Sequence, residues 1–364
     1  MAIPLHHVPY IEADLFGQSD AVGPVARRVE RRLEEILRSE RGRWLAERDE
    51  LAGLFGALEE AVLGGGKRLR PAFCYWGFVG AGGDPGREAV IDAGAALELL
   101  HAFALVHDDV MDGSELRRGR PAMYRRLRRD HQRAGWTGDG RRYGTGVAVL
   151  VGDLAFAYAG ACTANLPAES RWLWHELCLE LTMGQYVDMQ GAALADHDTA
   201  RASWVAAYKS GRYTVERPLH LGASLVGLNE GLSAGYSAFG SPLGEAFQLR
   251  DDVLGVFGDE AVTGKPVGAD LREGKPTLLL AFAAERSGAA GAPILARVGA
   301  PDMNEVDETR VRRLFVDSGA LAAVERAIDI RVQRALRALH EVDVTPAARD
   351  ALAQLAAAAA WRDC

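Results

Sequence analysis

The sequence predicts an all-α fold, a single-domain helical bundle of about a dozen helices. Three observations predict it. Apolar residues recur at three- and four-residue spacing along most of the 364 positions, the period of a half-buried helix. No segment alternates apolar and polar residues between hairpin turns. Gly, Pro and Asp gather at short breaks between the periodic stretches. In the first stretch, residues 25–37, Val25, Val29, Leu33, Ile36 and Leu37 share one face, with Arg and Glu between them. Comparable periodicity runs through 45–63, 88–111, 147–164, 172–189, 213–228, 232–256 and 277–284, then through three stretches from Val306 onward. The breaks fall at 80–86, 136–146, 258–268 and 288–293. Residues 1–24 carry little pattern and read as a loosely held N-terminal extension, with 25–364 as one domain.

Composition narrows the function. With 48% hydrophobic and 25% charged residues, the chain can bury a large core. A net charge of -8 argues against a nucleic-acid partner. Basic residues nevertheless cluster at 67–70, at 117–120 and along 125–142, close to carboxylates. That pattern suits a small polyanion held partly through metal ions. The four cysteines, Cys74, Cys162, Cys178 and Cys364, form no CxxC pair and do not sit with histidines at zinc spacing, so they read as incidental thiols of a reducing compartment. Glu12, Asp14 and Asp20 interrupt any basic-then-apolar leader, and Glu98 and His101 interrupt the most apolar run, 93–106. The expectation is a cytoplasmic protein with no stretch of transmembrane length and no stable membrane insertion.

Asp-Asp occurs twice, each time on a strongly apolar helix. In His107-Asp108-Asp109-Val110-Met111-Asp112, a turn of about 100° per residue stacks Asp108 and Asp112 on one face, with His101 two turns earlier. Carboxylates stacked so closely repel unless a cation lies between them. Magnesium fits, because it prefers hard oxygens and is commonly held by one or two carboxylates plus substrate phosphates. A solvated acidic helix end is the alternative. The second cluster is Phe247-Gln248-Leu249-Arg250-Asp251-Asp252, where Gly255 stands in place of a third stacked acid. Two such clusters facing each other across a bundle would build a metal site.

The basic clusters complement them. Gly64-Gly65-Gly66-Lys67-Arg68-Leu69-Arg70-Pro71 joins two helices, and Pro71 suits the start of the second. Lys67 and Arg70 then lie near a helix N-terminus, where anions bind. The spacing is not that of a nucleotide P-loop. Arg117-Arg118-Gly119-Arg120 follows the first acidic cluster, as needed to clamp a diphosphate. Lys209-Ser210, Lys265, Asp270 and Lys275 come later.

Five ordered motifs carry a resemblance: Gly65-Gly66-Lys67-Arg68-Leu69-Arg70-Pro71; Asp108-Asp109-Val110-Met111-Asp112 with Arg117-Arg118-Gly119; Gly184-Gln185-Tyr186-Val187-Asp188; Phe247-Gln248-x-x-Asp251-Asp252; and Lys265 with Gly274-Lys275-x-Thr277. From about Leu45 to the C-terminal helices the chain resembles the trans-isoprenyl diphosphate synthase (polyprenyl synthetase) family, and most of all bacterial geranylgeranyl diphosphate synthases. The resemblance implies an isoprenoid synthase fold around a deep central cavity, a homodimer, and Mg2+ as cofactor. It implies that Asp108 and Asp112 bind metal from one wall and Asp251 from the other, with Asp109 and Asp252 supporting. Arg117, Lys209 and Lys265 would hold an allylic diphosphate. Lys67, Arg70, His101 and Arg118 would hold isopentenyl diphosphate, while Gln185, Ser210 and Gln248 line the reacting centre and Lys275 continues the match. Gly255 departs from the family's third acid, a change expected to loosen metal binding.

The charges then define a reaction class. A metal-clamped diphosphate leaves readily, the double bond of isopentenyl diphosphate attacks the allylic cation, and the released diphosphate takes the proton. Phe103 and Ala104 lie roughly 6–8 Å below Asp108 by helix rise. In the family that the chain resembles, bulk at these positions acts as a floor, so the resemblance, with one large and one small residue there, implies an intermediate depth and a geranylgeranyl product. Farnesyl or geranylfarnesyl products, a terpene cyclase on the same fold, and a silent subunit of a heteromeric synthase are the alternatives.

Overall fold

A computed structural model describes residues 20–195, 197–258 and 268–360. The expected break at 80–86 falls between α3 (Leu69–Gly80) and α4 (Ala89–Asp112). Before them come α1 (Gly23–Leu45) and α2 (Ala52–Leu63), separated by a short 3-10 turn at Asp49–Leu51 that splits the predicted stretch 45–63. Pro24 opens α1, and its Val25, Val29, Leu33 and Leu37 are buried, as the four-residue spacing requires. After α4 the chain makes a hairpin, β1 (Leu116–Arg117) with β2 (Arg120–Pro121), antiparallel with Arg117 opposite Arg120. Two residues per strand are too few to show an alternating pattern, so this hairpin was not foreseen.

Next come α5 (Met123–Arg133), α6 (Gly140–Thr163) and α7 (Ala168–Leu194). α5 falls where the sequence showed only arginines, since Leu127 and His131 are its only buried residues. α6 starts inside the predicted break because the Asp139 side chain caps it by accepting from the Arg141 backbone N–H. Then α8 (Thr199–Val205), a π-helical stretch (Ala206–Glu216) and α9 (Arg217–Ser224) run on without interruption. α10 (Glu230–Phe257) is capped by Asn229. α11 (Ala269–Glu273), α12 (Leu278–Leu295), α13 (Glu305–Asp317), α14 (Ala320–Glu341) and α15 (Pro346–Ala360) complete the described chain. The break expected at 288–293 is a kink within α12, where Gly288 takes φ 52° and ψ -144°.

α4 is buried on nearly all sides over its first four turns, from Val90 to Ala102. Its last two turns carry the first acidic cluster. α10 is its counterpart, buried from Phe239 through Val256 with the second cluster near its C-terminal end. Each carboxylate group therefore sits toward the negative end of its helix dipole, which raises the demand for a cation.

One expectation is corrected. By length and composition α4, α6 and α12 are each apolar enough to cross a membrane. Most of α4 is core, 67% of the window being buried, but α6 is only 28% buried. Val149, Leu150 and Phe156 of α6, with Leu179, Met183 and Tyr186 of α7, stand exposed. Cys74, Cys162 and Cys178 are free thiols. Most of the predicted extension, Lys265 and Cys364 lie outside the described residues.

Candidate active site

One cavity of about 410 Å3 gathers residues from both acidic helices. Asp108 and Asp251 line the same hollow, together with Gln248, Asp252, Gln185, Lys209, Ser210, Lys67, Arg70, His101, Arg117, Lys275 and Ala104. Asp109, Asp112, Arg118 and Phe103 do not line it. Asp109 turns inward and is buried, accepting from Arg117 Nε at 2.9 Å. Asp112 stands just behind, its Oδ2 3.3 Å from Lys275 Nζ. Phe103 is displaced from the predicted floor: its ring packs on His107 and Phe156, with centroids 4.6 and 5.0 Å away. A helix turns its i and i-4 residues to one face, so Ala104 rather than Phe103 shares the cavity face of Asp108.

The acidic half is held together by lysines. Lys209 Nζ contacts Asp108 Oδ1 at 3.1 Å and also pairs with Asp188. Lys275 Nζ lies 2.9 Å from Glu273 and 3.6 Å from Asp270. Ser114, just past α4, donates to Glu273 at 3.0 Å and so ties the last residue of α11 to the end of α4. Lys209 reaches Asp108 because it rides on the π-helical stretch, whose wider turn shifts the register of the side chains. Close approach of α7 makes this possible: a Cβ at Gly184 would lie 2.5 Å from the Lys209 backbone nitrogen.

Charge states follow from these contacts. Burial would raise the Asp108 carboxyl, but Lys209, Lys275 and Arg117 outweigh it and hold it well below the usual carboxylate range. Burial pushes Asp112 up, and the Asp108 charge adds to that push against Lys275. Burial also pushes Asp252 up, to about 8, with Asp270, Asp251 and Asp188 adding to it and the hydrogen bond from Gln248 opposing. Burial works against the Lys275 charge, yet Asp270, Asp108, Glu273 and Asp112 hold its ammonium well above its ordinary range. Asp112 Oδ2 is buried and, although ion-paired with Lys275, accepts no well-formed hydrogen bond. Among the described residues no three His, Cys, Asp or Glu side chains gather tightly enough to chelate an ion alone. The donor set therefore fits a hard cation shared with ligand oxygens, the usual habit of magnesium.

The other half of the cavity is basic. His101 Nδ1 lies 2.9 Å from the Tyr213 hydroxyl. Burial, reinforced by Arg70, Arg118, Arg117 and Arg68, holds this imidazole well below its ordinary value. It is neutral at pH 7, and in the tautomer in which the phenol donates to Nδ1 the Nε2 hydrogen is left for an anion. Arg70 donates to Thr214 Oγ1 at 3.0 Å and lies over the Tyr213 ring at 4.2 Å, while its Nε is buried without a partner. Arg118 adopts φ 53° and extends alongside Gly64 and Gly66. Burial and the neighbouring Arg68 depress it, against the pull of Glu98. Guanidinium groups crowded like this, one with a spare donor, invite an anion.

Asp188, Tyr213 and Asp270 also line the cavity, yet the sequence had not marked them as site residues. Asp188 could have been found, being three residues from Gln185 on one helical face. Arg68, by contrast, leaves the site. Its φ of 50° turns it inward to Glu98, to Glu30 at 3.2 Å and to the Val62 carbonyl at 3.0 Å.

Comparison with known proteins places this arrangement. The polyprenyl synthetase family matches residues 53–313. The chain is 33% identical to a geranylfarnesyl diphosphate synthase of Aeropyrum pernix over 81% of its own length and 89% of the relative's. It is also 33% identical to a geranylgeranyl diphosphate synthase of Mycobacterium tuberculosis, over 89% and 87% of the two chains. Among solved structures, a geranylgeranyl pyrophosphate synthase of Corynebacterium glutamicum, complexed with isoprenyl diphosphate and magnesium, superposes with a TM-score of 0.89 at 34% identity, covering 94% of this chain and 99% of that one. With the matched motifs falling on the two halves of one cavity, the chain belongs to the polyprenyl synthetase family.

Proposed function

We propose that the protein is a trans-prenyltransferase that condenses isopentenyl diphosphate with an allylic diphosphate, with geranylgeranyl diphosphate as the main product. The observation that carries this reading is the division of one cavity into an acidic half and a basic half. A terpene cyclase needs only the first. Arg70 with its unpartnered Nε, beside a neutral His101, supports a second diphosphate site.

Asp108, Asp112 and Asp251 would hold magnesium, which would neutralise charge growing on the departing diphosphate. Lys209, Lys275 and Arg117 would turn from their carboxylates to the allylic diphosphate oxygens. Lys67, Arg70, Arg118 and His101 Nε2 would anchor isopentenyl diphosphate so that its double bond faces the allylic carbon. Lys265 is assigned to the allylic diphosphate by the family motif alone. Phe247, Leu181 and Leu254 line the reacting space with apolar surface, keeping water from the cation. Gln185, Gln248 and Ser210 offer amide and hydroxyl dipoles there. The released diphosphate accepts the proton lost from the new chain.

The exposed apolar face of α6 and α7 supports a homodimer. Leu150, Met183 and Tyr186 are 56%, 54% and 62% exposed, as large apolar side chains of an interaction surface are. Light scattering giving twice the chain mass would support the dimer. To test the function, purified protein is incubated with magnesium, isopentenyl diphosphate and each allylic starter in turn, and the products are identified. A longer diphosphate supports the proposal. Turnover of the allylic diphosphate with isopentenyl diphosphate omitted would favour a cyclase.

A further inference from the structure

The second acidic helix lacks an acid one turn after Asp251, where Gly255 stands. Residue 255 is on the same helical face as Asp251, four positions along. The space its side chain would take is already filled. A Cβ built on Gly255 would lie 1.8 Å from Asp270 Oδ2 and 2.6 Å from its Cγ. The Asp270 carboxyl thus rests directly on the Gly255 backbone, lines the cavity with Asp251 and Asp252, and pairs at 3.6 Å with Lys275. Lys275 in turn reaches Asp112 on the opposite wall.

We infer that Asp270 supplies the third carboxylate of the second acidic wall, and that glycine at 255 leaves the space this carboxyl occupies, which a Cβ there would force it to vacate. The wall is composite, two acids from α10 and one from α11, the two helices being separated by the eleven residues 258–268. This inference rests on the prenyl-transfer reading, and it reverses the expectation that Gly255 weakens the metal site.

The two positions must then behave as a coupled pair. Binding of magnesium with inorganic diphosphate is measured by calorimetry and by the rise in melting temperature, alongside condensation activity. Asp270→Asn keeps the shape of the side chain and should weaken binding about ten- to a hundred-fold, the cost typical of a lost metal-supporting group. Gly255→Ala changes no charge but should weaken it comparably, by displacing the Asp270 carboxyl. Gly255→Asp combined with Asp270→Gly moves the carboxylate from one element to the other and should recover most of the loss. Circular dichroism without metal verifies that each variant is folded. Unchanged binding in Asp270→Asn, or a double variant no better than the singles, would overturn the inference while leaving the parent's condensation activity intact. A parent that shows neither magnesium-dependent diphosphate binding nor condensation would instead bring down the prenyl-transfer reading, and this inference with it.

Discussion

The two halves of the cavity solve opposite electrostatic problems. In the acidic half, Asp108, Asp188, Asp251, Asp252 and Asp270 line the cavity with Asp112 just behind; Lys209 pairs with Asp108 and Asp188, and Lys275 with Asp112 and Asp270. In the basic half, Lys67 and Arg70 line the cavity with His101, whose imidazole is held well below its ordinary range by burial and by nearby guanidinium groups, Arg70 and Arg118 first among them. The first half holds more carboxylates than its cations balance, and the second presents cationic side chains to the cavity. In the reading proposed above, a metal ion would complete the one and a bare diphosphate the other. Two diphosphates would then bind side by side with different requirements, as the proposed condensation needs.

That contrast can be broken from either side. The largest effect is expected from Asp108→Ala, which removes the carboxylate shared by the metal site and Lys209. Steady-state condensation should fall by about 10^2–10^3-fold or more, and raising the magnesium concentration should not restore it. A loss recovered by magnesium alone would mean that Asp108 only tunes affinity. Arg118→Gln should act on the other half, raising KM for isopentenyl diphosphate several-fold with KM for the allylic substrate little changed. Equal rises in both would erase the distinction between the halves.

A smaller change concerns product length. Phe103 neighbours the cavity-lining Ala104 in the chain, and its ring packs at a tilt on Phe156. Phe103→Ala should open the lower end and shift part of the product toward longer chains, whereas Ala104→Phe should shorten it. Chromatography of the products reads both. An unchanged distribution in both variants would place the floor elsewhere.

The smallest effect is on stability. His101 has a lowered value in the folded state, so below about pH 6.5 the unfolded chain binds the extra proton and the folded chain does not. Its contribution thus favours folding above that pH and is lost as pH falls through it. His101→Gln removes the contribution. The gap between the two proteins' melting temperatures should therefore change between pH 7 and pH 5 in the variant's favour. A gap independent of pH would mean that His101 titrates normally.

How far the sequence could be read follows the same division. Asp108 and Asp251 were legible because paired acids are conspicuous at the ends of apolar helices, and both reach the cavity. Lys67 and Arg70 were legible from the glycine turn, but the inward swing of Arg68 was not, since it depends on a left-handed backbone that no pattern announces. Asp188, Tyr213 and Asp270 come from three separate segments, and only the packing of the bundle brings them together. α5 escaped notice because a helix with two buried residues leaves almost no periodicity.

The central claim is that one cavity holds two diphosphates, only one of which needs metal. Isopentenyl diphosphate and an unreactive allylic thiodiphosphate can each be titrated into the protein by calorimetry, with magnesium and with chelator. The account predicts that isopentenyl diphosphate binds under both conditions, that the allylic analogue binds only with magnesium, and that the two bind together. Competition between them for a single site, or equal dependence of both on the metal, would contradict it.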